Sequence, residues 1–336
     1  MENGLKNIWK NLKIGAAVNS DILKNKQADE IIKKHFSSLT TENSMKWGPT
    51  QPKENIFFWE ETDIVADYAR KNKIDLRGHT IIWHNQNPHW LFDDNGIEVS
   101  KLKLQKRLEA HAIALTQRYN DIVTTWDVLN EVIETDKGDE NGKRQTLWYK
   151  ICGNEIYEFA FKLMRELSPK SKLYFNDYNN ESGTKMETTL RFLSSMLDKG
   201  VPIDGVGLQG HWYYNYPDEN ILRKAFESYS SLGLEIELTE VDISLYEWDE
   251  KITNDNYFKT APEERVILQA ERYKEIFSIA SEYPAVKCIT TWGVADNHTW
   301  LDDFPVPGRK NWPLLFDEQL NPKPVVKELI KLVYVK

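Results

Sequence analysis

A single eight-unit parallel barrel, (β/α)8 or TIM type, is the α/β fold that three observations predict. Strand-like apolar runs alternate with segments of helical period along the whole chain, and eight such units fit. The length of 336 residues is ordinary for one barrel of this kind. No linker, low-complexity tract or shift in composition divides the chain, so residues 1–336 read as one domain.

The first strand is expected at 14–18, and the second at 38–41, running into Glu42 and Asn43. A helix over about 60–71 follows, with Ile64, Val65, Tyr68 and Ala69 on one face. The third strand is 74–79, and Leu104, Leu108, Ala112, Leu115 and Tyr119 mark the next helix. The fourth strand runs from the β-branched 122–125 through Trp126 to Asn130 and Glu131. A helix carrying Ile156, Phe159, Ala160, Leu163, Met164 and Leu167 is stopped by Ser168-Pro169. The fifth strand is 173–178, with Met186, Leu190, Leu193 and Leu197 in the helix behind it. The sixth is 205–211 before a helix near 219–231, and the seventh 234–243 before a helix over about 262–283. The eighth is 286–294, and the last helix 324–333. Connections 132–149, 244–261 and 295–322 are long and all follow strands, which puts them on the face where barrel strands end and sites form.

Composition narrows the function. Twelve tryptophans exceed what a core needs, and the surplus suits flat apolar ligand faces such as sugar rings. Trp9, Trp59 and Trp148 read as core. A net charge of −9 without a basic stripe argues against nucleic acid and against a polyanionic substrate, and favours a neutral one. Cys152 and Cys288 make no disulfide framework, and Cys288 lies in an apolar run that suits a buried thiol. Residues 1–15 are polar and amphipathic, unlike a signal peptide or membrane anchor. If Met1 is the natural start and no leader has been removed, a cytoplasmic protein with no membrane partner is expected.

Several motifs lead nowhere. Gly205-Val206-Gly207-Leu208-Gln209-Gly210 has the glycine spacing of a dinucleotide fingerprint, but the glycines lie within a strand and no helix opens on the last one. Small residues here are expected to let neighbours pack closely. His79, His84 and His89 are five apart, not at metal-ligand spacing, and no G-x-S-x-G elbow exists. No metal or cofactor is expected. What remains is a pair of strands ending in carboxylates, Asn130-Glu131 and Glu240-Val241-Asp242. Two strand-end glutamates facing one cleft form the acid and nucleophile of a glycosidase. The negative charge of Glu240 would disfavour ionisation of Glu131, and a donor such as His211 would favour the charged Glu240.

Seven motifs in order carry a resemblance. They are Thr41-Glu42-Asn43-Ser44-Met45-Lys46-Trp47, Arg77-Gly78-His79-Thr80-Ile81-Ile82-Trp83-His84-Asn85-Gln86, and Trp126 through Glu131. The others are Tyr174-Phe175-Asn176-Asp177-Tyr178-Asn179, Gly207 through Trp212, Thr239-Glu240-Val241-Asp242, and Thr291-Trp292-Gly293-Val294-Ala295-Asp296. Over nearly its whole length the chain resembles glycoside hydrolase family 10, the retaining endo-β-1,4-xylanases. The resemblance implies Glu131 as general acid/base and Glu240 as nucleophile. It implies Asn130 as the contact to the sugar 2-hydroxyl, Gln209 as a neighbour of both carboxylates, and His211 with Asp242 as a relay that tunes the nucleophile. On the glycone side it implies Glu42, Asn43, Lys46, His79 and Gln86 as hydroxyl contacts, with Trp83, Trp292 and Trp300 as aromatic walls. Tyr178 fits the aglycone side. For Glu42, Lys46 and His79 the competing reading is a surface ion-pair cluster.

Residues 296–312 depart from the common secreted pattern by an acidic, proline-bounded insert and resemble the cytoplasmic bacterial branch. The expected substrate is therefore imported xylo-oligosaccharide rather than polymeric xylan. The 295–322 loop, with Trp300, Asp302, Asp303, Arg309, Lys310 and Trp312, is expected to wall off the glycone end. Two alternatives compete: a β-glucan or cello-oligosaccharide hydrolase of the same mechanism, and a catalytically silent carbohydrate-binding barrel.

Overall fold

Nine strands carry the architecture of the computed structural model, which describes residues 4–251 and 260–332. They are β1 (Lys13–Val18), β2 (Ser38–Thr41), β3 (Asp75–Ile82), β4 (Val123–Asn130), β5 (Lys172–Asp177), β6 (Gly205–Leu208), β7 (His211–Tyr213), β8 (Glu235–Ser244) and β9 (Val286–Thr291). Neighbours pair in parallel from β1 to β6; β6 then pairs with β8, β8 with β9, and β9 with β1. Eight strands thus close a ring with no free edge, and β7 is a short strip beside the end of β8.

The helices are α1 (Ser20–Lys24), α2 (Lys26–His35), α3 (Trp47–Thr50), α4 (Glu60–Asn72), α5 (Lys101–Tyr119) and α6 (Leu147–Cys152). They continue with α7 (Glu155–Leu167), α8 (Gly183–Asp198), α9 (Glu219–Ser231), α10 (Glu263–Glu282) and α11 (Pro324–Lys331). Val333, at the expected end of the last helix, lies outside the described residues, as do 1–3 and residues 252–259 of the 244–261 connection.

Two elements depart from the sequence reading. Eight units call for a helix between the first two strands, but the sequence pattern marks none there, and α1 and α2 fill that connection. Asn19 and Asn25 each cap one, accepting two backbone N–H groups through the side chain. Ala28, Ile31, Ile32 and His35 then bury one face of α2, a period masked by the lysines around it. The expected strand 205–211 is also broken. Gly210 turns the backbone at φ +79°, ending β6 at Leu208, so that His211 starts β7 opposite Asp242.

Glycines inside the strands let large rings pack. A Cβ on Gly78 would lie 2.1 Å from the Trp126 ring, and one on Gly205 would lie 2.4 Å from Tyr174. Inside the barrel Arg77 donates to Asp127 and to Glu237, and His79 pairs with Asp127 at 2.9 Å, all of them buried. This network ties β3, β4 and β8 together beneath their functional ends. Trp148 is fully buried, and Trp9 and Trp59 pack half-buried on the same core. Both cysteines are free and buried, and burial pushes the Cys288 thiol up to about 12.

Candidate active site

The ends of β4, β5, β6 and β8 converge on one chain of hydrogen bonds. Successive strand residues point to opposite faces, so Asn130 and Glu131 could not both enter a cleft from an unbroken strand. Glu131 takes φ +56° immediately after β4, held by its N–H donating to the Asn176 carbonyl at 2.9 Å. That turn brings its carboxylate beside Asn130, whose Nδ2 lies 3.4 Å from Glu131 Oε1. Gln209 Nε2 donates to Glu131 Oε1 at 3.0 Å and to Asn130 Oδ1 at 3.3 Å. Asn176 Nδ2 donates to Asn130 Oδ1 at 2.9 Å and to Glu240 Oε1 at 2.8 Å. With both acceptor positions of Asn130 Oδ1 filled and one amide N–H directed at Glu131 Oε1, its other amide N–H is the part left for a ligand.

Asn176 is the hub that sequence reasoning left without a role. Its Oδ1 accepts from Thr239 Oγ1 at 2.6 Å, and a Cβ on Gly207 would sit 2.2 Å from that oxygen. Gly207 therefore makes room for Asn176 to reach both carboxylate strands. The signal was present: Asn176 stands at a strand end inside one of the seven motifs.

Glu240 is buried, with only 5% exposed. Burial would raise its carboxyl, but the His211 imidazole 3.4 Å from Oε2 and the Lys46 charge outweigh it and hold it below the usual value. His211 Nδ1 lies 3.0 Å from Asp242 Oδ2. Burial opposes its charge, yet Asp242 and Glu240 together push the imidazole up to about 10. Trp300 Nε1 donates to the same Asp242 oxygen at 2.7 Å, and its ring meets His211 edge-on with centroids 4.9 Å apart. The implied relay is thus brought together, with Trp300 as an additional member.

On the β2–β3 side, Lys46 and His79 are almost fully buried, which removes the surface ion-pair reading for them. Lys46 Nζ donates to Asn43 Oδ1 at 2.9 Å and lies 4.6 Å from the Trp83 ring centre and 5.8 Å from that of Trp292. Burial lowers its ammonium, against the pull of Glu240, Glu131 and Glu42. Gln86 Nε2 donates to the same Asn43 oxygen at 3.1 Å. Glu42 Oε2 accepts from Asn19 and pairs with His298, both at 2.9 Å. Burial acts to raise that carboxyl, but His298, Asn19 and Lys46 hold it down. His79 and His211 both face Trp292 edge-on. Neither Asn19 nor His298 was anticipated.

On the other side, Tyr178 accepts from Arg144 Nη2 at 2.7 Å, and Arg144 Nε donates to the Glu131 carbonyl at 2.7 Å. His84 Nδ1 stands 3.7 Å from Glu131 Oε2, and burial lowers its imidazole.

The 295–322 loop takes a different position from the expected wall. His298 and Trp300 alone of those residues reach the polar cluster through the contacts above. Arg309 donates to the carbonyls of Glu247, Trp248 and Glu250, Lys310 pairs with Glu318, and Trp312 packs against Leu245 and Tyr246. Asp302 and Asp303 accept from backbone N–H groups of the same loop. Long polar residues at its tip are consumed in bracing the loop and its neighbour, which leaves open space beside Glu42.

The arrangement holds two carboxylates from different strands on a shared amide relay, one of them kept ionised by a protonated imidazole. Such a pair can protonate a leaving oxygen and attack the carbon it leaves. Among the described residues no group of three or more His, Cys, Asp or Glu is placed to hold a metal ion.

The model of glycosyl hydrolase family 10 matches residues 4–332. The chain is 45% identical over 324 residues to endo-1,4-beta-xylanase A of Caldicellulosiruptor saccharolyticus, covering 95% of this chain and 92% of that protein. It is 41% identical to an endo-1,4-beta-xylanase of Geobacillus stearothermophilus, with 95% of each covered. Among solved structures, a mutant in complex with xylotriose superposes at TM-score 0.93 and 42% identity, covering 97% of this chain and 99% of that one. The crystal structure of the endo-1,4-beta-xylanase from Caldicellulosiruptor owensensis superposes at TM-score 0.92 and 41% identity, covering 98% and 99%.

Proposed function

The chain belongs to glycosyl hydrolase family 10, a hydrolase of β-1,4-xylosidic bonds acting with retention, and from that premise we propose the residues that perform the reaction. Glu240 attacks the anomeric carbon while Glu131 delivers its proton to the departing glycosidic oxygen, leaving a xylosyl ester on Glu240. Water then attacks the same carbon, Glu131 takes its proton, and the ester bond breaks with the carboxylate of Glu240 restored. Two inversions restore the original anomer.

The observation that supports this reading is the relay from Gln209 through Asn130 and Asn176, which joins the two carboxylates. Asn130 offers its amide N–H to the 2-hydroxyl beside the reacting carbon. Lys46, Asn43, Gln86, Glu42 and His79 present donors and acceptors to glycone hydroxyls, walled by Trp83, Trp292 and Trp300. Tyr178 lies on the aglycone side. The silent-barrel alternative and the β-glucan alternative are not favoured.

Azide provides the test of the two roles. Glu131→Ala should slow substrates with poor leaving groups far more than activated aryl glycosides, and azide should rescue it with a β-xylosyl azide product. Glu240→Ala should fall by about four to six orders of magnitude on both, with rescue giving the α-azide. Equal losses across leaving groups in Glu131→Ala would remove its role as acid.

We also propose short xylo-oligosaccharides as the working substrate and the cytoplasm as the place of action, with 1–336 as one catalytic barrel. Support comes from the acidic, proline-bounded 296–312 segment. Cell fractionation of the native host, with activity found in the soluble cytoplasmic fraction, would uphold the location.

A further inference from the structure

Glu131 holds a left-handed backbone at φ +56°, a conformation that a residue with a side chain keeps only where its surroundings enforce it. Two hydrogen bonds do so. On one side of its Cα, the Glu131 N–H donates to the Asn176 carbonyl at 2.9 Å. On the other side, the Glu131 carbonyl accepts from Arg144 Nε at 2.7 Å. With both flanking peptide planes tied, φ and ψ are fixed, and with them the direction in which the carboxyl leaves the chain. Asn176 reaches Glu131 from the neighbouring strand β5, and Arg144 reaches it from the connection that follows β4.

No motif in the sequence marks Arg144; a hairpin brings it to the site. Ile133 bridges Lys143 in antiparallel fashion, the Glu134 N–H donates to the Gly142 carbonyl at 2.8 Å, and the Arg144 N–H donates to the Val132 carbonyl at 2.9 Å. Side chains of adjacent residues in such a ribbon point to opposite faces. Lys143 turns toward α8, its Nζ 3.4 Å from the centre of the Phe192 ring, and Arg144 turns toward Glu131 and Tyr178. These backbone bonds close the hairpin by themselves, so its closure does not require the guanidinium. The Arg144 nitrogens serve separate partners instead: Nε the Glu131 carbonyl, Nη2 the Tyr178 hydroxyl at 2.7 Å, and Nη1 the Glu134 carboxylate at 3.2 Å. A rigid planar fork can hold three such directions at once, whereas the single nitrogen of a lysine cannot.

We propose that Arg144 is a positioning residue for the acid step: through the Glu131 carbonyl it aims the carboxyl at the departing glycosidic oxygen, and through Tyr178 it ties that aim to the side on which the leaving group sits. The inference rests on the hydrolase reading above and deepens it.

The test measures kcat/KM on a series of aryl β-xylobiosides whose phenols differ in acidity but little in size, for the wild type, Arg144→Met and Arg144→Lys. This parameter reports the first step, in which a weakly acidic phenol needs the proton of Glu131 and a dinitrophenol does not. In Arg144→Met the least acidic phenol should lose about 10- to 100-fold, the cost of an acid displaced by about 1 Å, and the dinitrophenyl glycoside less than about threefold. The dependence on phenol acidity therefore steepens. Arg144→Lys keeps the charge and one donor, and its slope should fall between the other two. A role confined to folding or to binding the aryl group would lower the whole series by one factor. An unchanged slope therefore overturns the inference, whatever the overall loss; should Arg144→Met fail to fold, the slope of Arg144→Lys decides in the same way. Absence of hydrolysis of every member by the wild type would instead overturn the hydrolase reading itself.

Discussion

At the scale of single residues, Glu240 and His211 define each other. The imidazole is held charged by two carboxylates, and its charge in turn holds Glu240 below its ordinary value despite burial. Removing the imidazole should therefore move the acidic limb of kcat/KM upward, by about one pH unit or more, because burial would then act on Glu240 with less opposition. His211→Asn measured across pH checks this; an unmoved limb contradicts it. The linkage to stability has a definite sign as well. A folded value of about 10 above an unfolded value near 6.5 gives stability that is complete below about 6.5 and is lost as pH rises toward 10. Unfolding curves should show that loss in the wild type and not in His211→Asn. Asn176 carries a separate prediction. Its amide is a hydrogen bond to a charged group, so Asn176→Ala should lower kcat/KM by about 10- to 100-fold while leaving the protein folded. A loss below twofold would take Asn176 out of the positioning role.

Among elements, the three glycine-relieved contacts and the braced loops decide where the site residues stand. Every barrel strand was legible from apolar runs, because parallel strands buried on both faces are near-continuously hydrophobic. The break after β6 was not, since Gly210 at φ +79° looks in sequence like another small strand residue. The role of Asn176 escaped for a similar reason: its partners Asn130, Glu240 and Thr239 come from two other strands, and only closure of the barrel brings them together. The last loop was misplaced because a charged residue looks exposed in sequence, whereas Arg309 is buried and holds three carbonyls of the β8–α10 connection. Arg309→Met should leave those carbonyls without a donor and destabilise the protein by about 2–4 kcal/mol in denaturant unfolding. A change under about 0.5 kcal/mol would mean that the two loops do not depend on the arginine.

For the molecule as a whole, the fold was predicted by the order of its units, and the two principal carboxylates by their strand-end positions. The proposed glycone contacts needed the resemblance, because Glu42 and Lys46 carry no spacing signal that separates a cleft from a surface ion pair. At this scale the proposed preference is for oligosaccharides of three to six units, with kcat/KM at least about tenfold above polymeric xylan per cleavable bond. Comparable values on polymer and oligomer would sink that preference without touching the chemistry. The chemistry has its own direct measurement. A 2-deoxy-2-fluoro xylobioside with a good leaving group should glycosylate the enzyme and stall, because loss of the 2-hydroxyl contact slows both steps. Peptide mass spectrometry of the stalled protein should find one fluoroxylobiosyl group per chain, carried on Glu240. A label on Glu131 or elsewhere, or turnover to the inverted anomer with no label, would contradict the account.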